Sequence, residues 1–370
     1  MYKKMKWSDI LTIISGKNQK GVASEDGEYF IYGSGGIIGR ANDYLCPANT
    51  VIVGRKGTIN HPLYVTEPFW NIDTAFGVVA GEELLPKFLY YFCLRFNFKE
   101  LDKSTGRPSV SKADLLKIEM PIPNIEEQAR IVSRIEELFS ELDKGVETLQ
   151  IIKEQLAVYR QAVLKMVFAS MNERKPIQEV SSLVTSGSRG WAKYYSEEGV
   201  RFIRITDLTR DKIKLKNNAI QHVLLPEEAE GKRSRLQGND VLISITADLG
   251  SIALVPEDVE EAYINQHIAV VRFVNSHQGE FMAWYLKSDY GQKELLRNKR
   301  GGGKLGLGLD DIRNTLVPIV SDEVADEVVS EIESRMSVCD SIEQTVDTAL
   351  SQAEAMRQSI LKKAFEGGLN

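Results

Sequence analysis

Three stretches of this 370-residue chain invite a chemical reading. Gly301-Gly302-Gly303-Lys304-Leu305-Gly306 spells a dinucleotide fingerprint, but a basic run precedes it where a strand should stand. Lys304 is followed by Leu305 rather than by a hydroxyl residue that could hold Mg2+, so it is not a P-loop either. Glu230-Gly231-Lys232 matches the tail of a nuclease carboxylate motif, with no Asp placed to complete it. Cys46, Cys93 and Cys339, like His61, His222, His267 and His277, lack the spacing of metal ligands or of a disulfide framework. Neither an Asn-Pro-Pro-aromatic motif nor a Phe-x-Gly-x-Gly loop of an amino-methyltransferase occurs. The expectation is a chain with no catalytic residue, no metal and no bound cofactor, whose side chains bind rather than react.

The elements that would position binding residues come in duplicate. Arg160-Gln161-Ala162-Val163-Leu164-Lys165-Met166-Val167-Phe168 returns 197 positions later as Arg357-Gln358-Ser359-Ile360-Leu361-Lys362-Lys363-Ala364-Phe365. At the same offset Asp114 matches Asp311, Pro121 matches Pro318, Ile135-Glu136 matches Ile332-Glu333, and Asp143 matches Asp340. Two copies so far apart are too few for a solenoid and predict a duplicated half-molecule with pseudo-twofold symmetry. Four segments result: large (1–124), helical (125–170), large (171–321) and helical (322–370). In the large segments Thr50–Gly54, Thr74–Ala80, Val200–Thr206, Asp240–Thr246 and His267–Val274 read as strands, and Pro86–Leu101 and Gly279–Arg297 as helices. Val51-Ile52-Val53, Asn71 and Phe88 find counterparts in Val241-Leu242-Ile243, Asn265 and Phe281 at drifting offsets, so these segments have diverged.

The helical segments carry a seam. Ile131 and Ile135 lead into Leu138, Leu142, Gly145, Leu149, Ile152, Leu156, Tyr159, Val163 and Met166, with spacings alternating three and four from Ile135 onward, as in a coiled coil. The counterpart, through Val328, Ile332, Arg335, Cys339, Ile342, Val346, Ala349, Ala353, Met356, Ile360 and Lys363, is weaker. Pro121 and Pro123 stop the preceding chain, Asn124 is placed to cap, and Glu126-Glu127 suit a helix N-terminus. A helix of about 44 residues is roughly 66 Å long and needs a partner to be stable in water. The other copy, packed antiparallel, is the simplest one. The fold class is therefore α+β: two α/β domains separated by two long helices.

Net charge is −6, which alone argues weakly against a nucleic-acid partner. Counted by segment it is +2 for 1–124, −2 for 125–170, +1 for 171–321 and −7 for 322–370, which leaves room for basic surfaces on the large segments. No apolar run is long enough to span a bilayer, and the stretch after Trp7 is too short for a signal peptide, so a cytoplasmic chain is expected.

Pro121-Ile122-Pro123-Asn124-Ile125-Glu126-Glu127-Gln128-Ala129-Arg130-Ile131-Val132 resembles the motif that follows the first target-recognition domain in specificity subunits of type I restriction-modification systems. Arg357–Gly367 is similar to the end of their second helix, and the order domain, helix, domain, helix covers the whole chain. Val320-Ser321-Asp322-Glu323-Val324 departs from the motif in the second copy. The resemblance implies a non-catalytic subunit that reads a bipartite DNA site and binds two methyltransferase subunits through its helices, at Gln128, Tyr159, Arg160, Phe168, Met356, Arg357 and Phe365. S-adenosylmethionine, ATP and Mg2+ would be used by the methyltransferase and restriction subunits, not by this chain. Alternatives are the specificity partner of a methylation-only or type IIB-like system, a nuclease with an unrecognised site, and a purely architectural coiled coil.

If the large segments read DNA, base edges call for Arg, Lys, Asn or Gln, and phosphates for Lys, Arg, Ser and backbone N–H groups. In the first segment the candidates, which flank glycine turns, are Arg40, Arg55, Lys56, Asn60, Arg107 and Ser109. In the second the candidates are Ser188, Arg189, Trp191, Lys193, Tyr194, Arg204, Arg233, Arg235, Arg300 and Lys304, several of them in a loop mixing basic and aromatic residues.

Overall fold

A computed structural model describes residues 2–225, 234–297 and 306–369. It divides into two compact units, Met1–Gln150 with Asp347–Asn370, and Ile151–Val346. Among the described residues no helix is long and apolar enough to cross a membrane.

In the first unit Leu11–Ser15, Ala75–Ala80, Thr50–Gly54 and Leu63–Val65 form an antiparallel sheet in that spatial order. A second sheet pairs the hairpin Tyr29–Gly33/Gly36–Ala41 with Phe69–Asn71, the latter parallel to the first hairpin strand. Lys3–Lys6 pairs with Glu119–Ile122, closing the domain immediately before the long helix. The sequence of Thr50–Gly54 is an uninterrupted apolar run, and it is buried on both faces: the helix Pro86–Arg95 packs against it.

The second unit repeats this plan. Ser181–Ser186, Ile268–Phe273, Val241–Ser244 and Ile252–Leu254 form the equivalent sheet, and Val200–Ile203 again lies antiparallel to one strand and parallel to another, Ala262–Ile264. Arg174–Pro176 with Leu316–Pro318 is the counterpart of the closing pair. Both helices read from sequence are shorter than expected. Pro86–Leu101 is a helix to Arg95 and then a separate turn, Phe98–Leu101, begun by Asn97, whose side chain accepts the Lys99 N–H. Gly279–Arg297 breaks at Ser288, whose hydroxyl accepts the Gly291 N–H and starts a new helix, Asp289–Leu295. In each case a capping side chain offers the backbone a local alternative to continuing.

Two long helices, Ile125–Phe168 and Asp322–Glu366, each contribute one half to each unit. Asn124 caps the first by accepting the Glu127 N–H at 2.8 Å. Within the first unit Ile131, Val132, Ile135 and Phe139 share a core with Leu361, Ala364 and Phe365, so the two segments run antiparallel. Within the second, Val163, Leu164 and Phe168 share one with Ala325, Ile332 and Met336. The expected seam holds at Ile131, Ile135 and Ile332 near the helix starts and only at some of its places beyond them. Leu156, Val163, Cys339, Val346 and Ala353 are buried, but Tyr159, Met166, Ile342 and Met356 are exposed. An α-helix drifts about 20° per heptad against a strict 3.5-residue repeat, and in the last turns of the first helix the buried stripe passes from Tyr159 to Arg160 and from Met166 to Phe168.

The residues it slides onto repeat the duplication. Arg160 donates to Asp340 at 2.7 Å and to Glu343 at 2.9 Å in the second unit; in the first, Arg357 pairs with Asp143. Phe168 packs edge-on against Phe281 and Tyr285, and Phe365 packs against Phe88 and Phe92. Each copy's arginine thus meets the other copy's aspartate, and each copy's terminal phenylalanine enters the other copy's domain.

Candidate nucleic-acid interface

In the first unit four loops are stitched together by hydrogen bonds. The Arg55 and Lys56 N–H groups both donate to the Thr74 carbonyl, at 2.8 and 3.2 Å. Gly57 N–H donates to Pro108 O at 2.8 Å, Val110 N–H to Arg55 O at 2.9 Å, and Lys56 pairs with Ser109 as an isolated bridge. Ser34, in the hairpin turn, donates its hydroxyl to Lys56 O at 2.8 Å. Gly57 has φ +85° and lies under the Arg107 guanidinium, so a side chain there would be strained and would meet that group. Arg55, Lys56, Arg107 and Ser109 are therefore brought to one place. None of these three cations forms an ion pair among the described residues; the Arg55 guanidinium donates to the Asp73 carbonyl, at 3.3 Å, and lies 5.8 Å from the Phe76 ring centroid.

Arg40 stands on the neighbouring hairpin strand, with its guanidinium 4.4 Å from the Phe30 ring centroid and donating to Gly27 O. Asn60 is committed elsewhere: its Oδ1 accepts the Phe98 N–H at 2.7 Å and fixes the start of the Phe98–Leu101 turn.

The second unit sorts its candidates differently. Ser188 pairs with Asn265, and Arg189 is exposed beside Gly190, whose φ is +82°. Trp191 is buried, stacked on Phe202 at 5.4 Å and close to Tyr263, so its place is the core and not a DNA-facing loop. Tyr194 is half-buried in the same cluster, with the exposed Lys193 ammonium 4.8 Å from its ring. Arg204 donates to Ala219 O at 3.0 Å and lies 3.9 Å from Asp207, bracing a loop. Arg235 is exposed, and its backbone pairs with Tyr263. Arg233, Arg300 and Lys304 lie outside the described residues.

One polar group escaped the sequence reading. Thr246 pairs with Gly306 as Lys56 pairs with Ser109, and its hydroxyl lies 2.6 Å from His267 Nδ1, with Gln266 3.0 Å from Nε2. A search for cations beside glycines passes over a Thr-His-Gln set; the register of the duplication, which aligns Lys56 with Thr246, is the signal that would have found it.

Of the seven helix residues, six are engaged within the chain. Gln128 is buried, donating to Glu83 O and Pro123 O and accepting the Leu85 N–H at 2.8 Å. Arg160, Arg357, Phe168 and Phe365 make the crossed contacts above. Tyr159 and Met356, at matching positions, are exposed, and the Tyr159 hydroxyl accepts from Arg335 at 3.3 Å. Among the described residues no group of three or more metal-ligating side chains occurs, and burial pushes the Cys46 thiol up to about 12.

The model of the type I restriction modification DNA specificity domain matches residues 1–153 and 182–352. The chain belongs to that family. It is a DNA-specificity subunit of a type I restriction-modification system, a non-catalytic one, whose partners are DNA and the other subunits of such a system. It is 24% identical over 352 residues to the specificity subunit of the type I restriction enzyme EcoBI of Escherichia coli, covering 86% of this chain and 73% of that one. The EcoKI subunit of Escherichia coli strain K12 is 24% identical over 355 residues, with 88% and 75% covered. A chain from a solved type I restriction-modification assembly shares the fold, with TM-score 0.75, 17% identity and coverage of 99% and 98%.

Proposed function

We propose that this specificity subunit reads a bipartite duplex, one half-site per unit, and that the two long helices set the spacing between the halves. Two methyltransferase subunits dock on the exposed helix faces around Tyr159 and Met356, bringing S-adenosylmethionine for adenine methylation; restriction subunits use ATP and Mg2+. The chain itself holds no cofactor. The observation that carries this reading is the crossing of the contacts, Arg160 to Asp340 and Arg357 to Asp143, Phe168 to Phe281 and Phe365 to Phe88. An exchange of that kind supports two equivalent readers held by one frame rather than one reader with a helical appendage.

The test is a methylation map of a host co-expressing the chain with its methyltransferase, against the methyltransferase alone. A split methyladenine motif should appear only with the chain. Deleting Glu147–Lys153 together with Gln344–Leu350 then removes one heptad from each helix and keeps all crossed contacts. The spacer should shorten by about 3 base pairs, since seven residues span roughly 10 Å. Altered half-site bases would count against the helices as spacers.

A further inference from the structure

The hairpin Tyr29–Gly33/Gly36–Ala41 carries a feature that ordinary surface packing does not explain. Ile37 and Ile38 are consecutive, and both are exposed, at 55% and 52%. Alternation along a strand would turn one of them inward. Here a bulge intervenes: Tyr32 pairs with Ile37 but the preceding Ile31 pairs with Gly39, which leaves Ile38 as the extra residue. Bulges occur beside functional sites because they re-aim a side chain.

The hairpin is also held firmly. Its turn is Ser34-Gly35, followed by Gly36 at φ +124°, a conformation that favours glycine. Ser34 is buried and bolted through its hydroxyl to Lys56 O and through its N–H to Thr74 Oγ1. Two isoleucines are thereby presented on a rigid tip whose loop partners carry Arg55, Lys56 and Arg107, with Arg40 on the same strand. An apolar tip ringed by cations free of carboxylate partners matches a duplex, whose phosphates flank a groove floor that is apolar only at the thymine C5-methyl groups. The second unit supplies a parallel: Ile220, immediately before the equivalent strand Gln221–Val223, is exposed at 44%.

We infer that Ile37 and Ile38 are specificity-determining residues of the first unit, contacting thymine methyl groups in the major groove. This rests on the DNA-reading role proposed above. It adds direct apolar readout to a site in which the sequence offered only polar and basic candidates. If adenine is the methylated base, each half-site holds at least one thymine opposite it, so the contact has an available target.

The test uses the complex of the chain with its methyltransferase and duplexes in which each thymine of both half-sites is replaced in turn by deoxyuridine. That replacement removes only the methyl group. The unmodified complex should lose about five- to tenfold in affinity at one or two thymines of one half-site. The double variant Ile37→Ser/Ile38→Ser should bind thymine and deoxyuridine duplexes alike there, with the other half-site unaffected. Tolerance of deoxyuridine at every thymine by the unmodified complex overturns the inference without needing any variant to fold. So does an equal methyl dependence in complex and variant, which is the result expected of a minor-groove wedge. Loss of the methyltransferase from the purified variant would reassign the tip to a protein contact and overturn it too. Absence of any split motif in the methylation map would instead defeat the underlying reading, so the two failures are distinguishable.

Discussion

Lys87 and Glu280 occupy equivalent places, one residue before Phe88 and Phe281 on the short helix of each unit, and each faces the matching glutamate of a long helix. In the first unit the result is an ion pair, Lys87 to Glu136 at 2.6 Å. In the second, the Glu280 carboxyl lies against Glu333, and it is pushed up to about 7, first by burial and then by its hydrogen bond and proximity to that glutamate. One docking surface is thus closed by opposite charges and the other by a proton. Duplication fixed where the helices meet and left the chemistry of the meeting open to divergence.

The aromatic contacts should break this comparison by showing no difference. Phe168→Ala and Phe365→Ala each remove a buried ring meeting two aromatic partners, and each should cost about 3–5 kcal/mol in denaturant unfolding. A markedly smaller loss for either would mean that its unit is not held through the crossed contact. The arginines should sharpen the comparison. The Arg160 side chain is only 9% exposed and serves two carboxylates, with Lys212 3.2 Å from Asp340; that of Arg357 is 27% exposed and meets Asp143 and the Phe139 ring. Glu343 has Val146 as its counterpart in the first copy, which explains the missing second carboxylate. Arg160→Ala should cost about 2 kcal/mol by removing a buried guanidinium and its two charge-assisted hydrogen bonds, while Lys212 still pairs with both carboxylates, and Arg357→Ala about 1 kcal/mol, measured in the same way.

The proton contact gives the next effect. Because the folded-state value of Glu280 lies above its unfolded value of 4.5, the folded chain holds an extra proton between the two. That contribution is complete below about 4.5 and is lost as pH rises through about 7. After allowance for solvent screening it amounts to about 1–2 kcal/mol. Glu280→Lys, which copies the first unit, should flatten the fall in thermal stability between pH 5 and pH 8; an unchanged slope would rule out this carboxyl as its source. Smallest of all is the phosphate-type contact. Lys56→Ala should weaken duplex binding by about 1 kcal/mol and lower the salt slope by about one, whereas Asn60→Ala should leave that slope alone.

The frame was legible because its signals are local or periodic: Asn124 before two glutamates starts a helix at Ile125, and the repeat at offset 197 pairs the helices. The seam was legible from Ile131 and Ile135 onward but not where Tyr159 turns outward and Arg160 inward, because letter spacing cannot register the drift of the stripe. At the candidate interface Arg55 and Lys56 could be placed beside the Gly57 turn from sequence, but that Arg107 joins them could not, because Gly57 and Pro108 meet across distant loops. Trp191 could not be assigned, since its partners Phe202 and Tyr263 are distant in sequence and a basic, aromatic loop reads alike whether its ring faces solvent or core. Ile37 and Ile38 were invisible for a different reason: their exposure follows from a bulge, and two isoleucines in a strand otherwise read as interior.

The crossed contacts also make the two halves interchangeable parts. The aspartate, the arginine and the terminal phenylalanine that one half meets in the other are residues it also supplies; Glu343, which meets Arg160 and has Val146 as its counterpart, is an exception. A foreign half carrying those three residues at the same spacing would find its crossed partners in place, so exchange of coding segments between relatives could pair new readers on an old frame in a single recombination step.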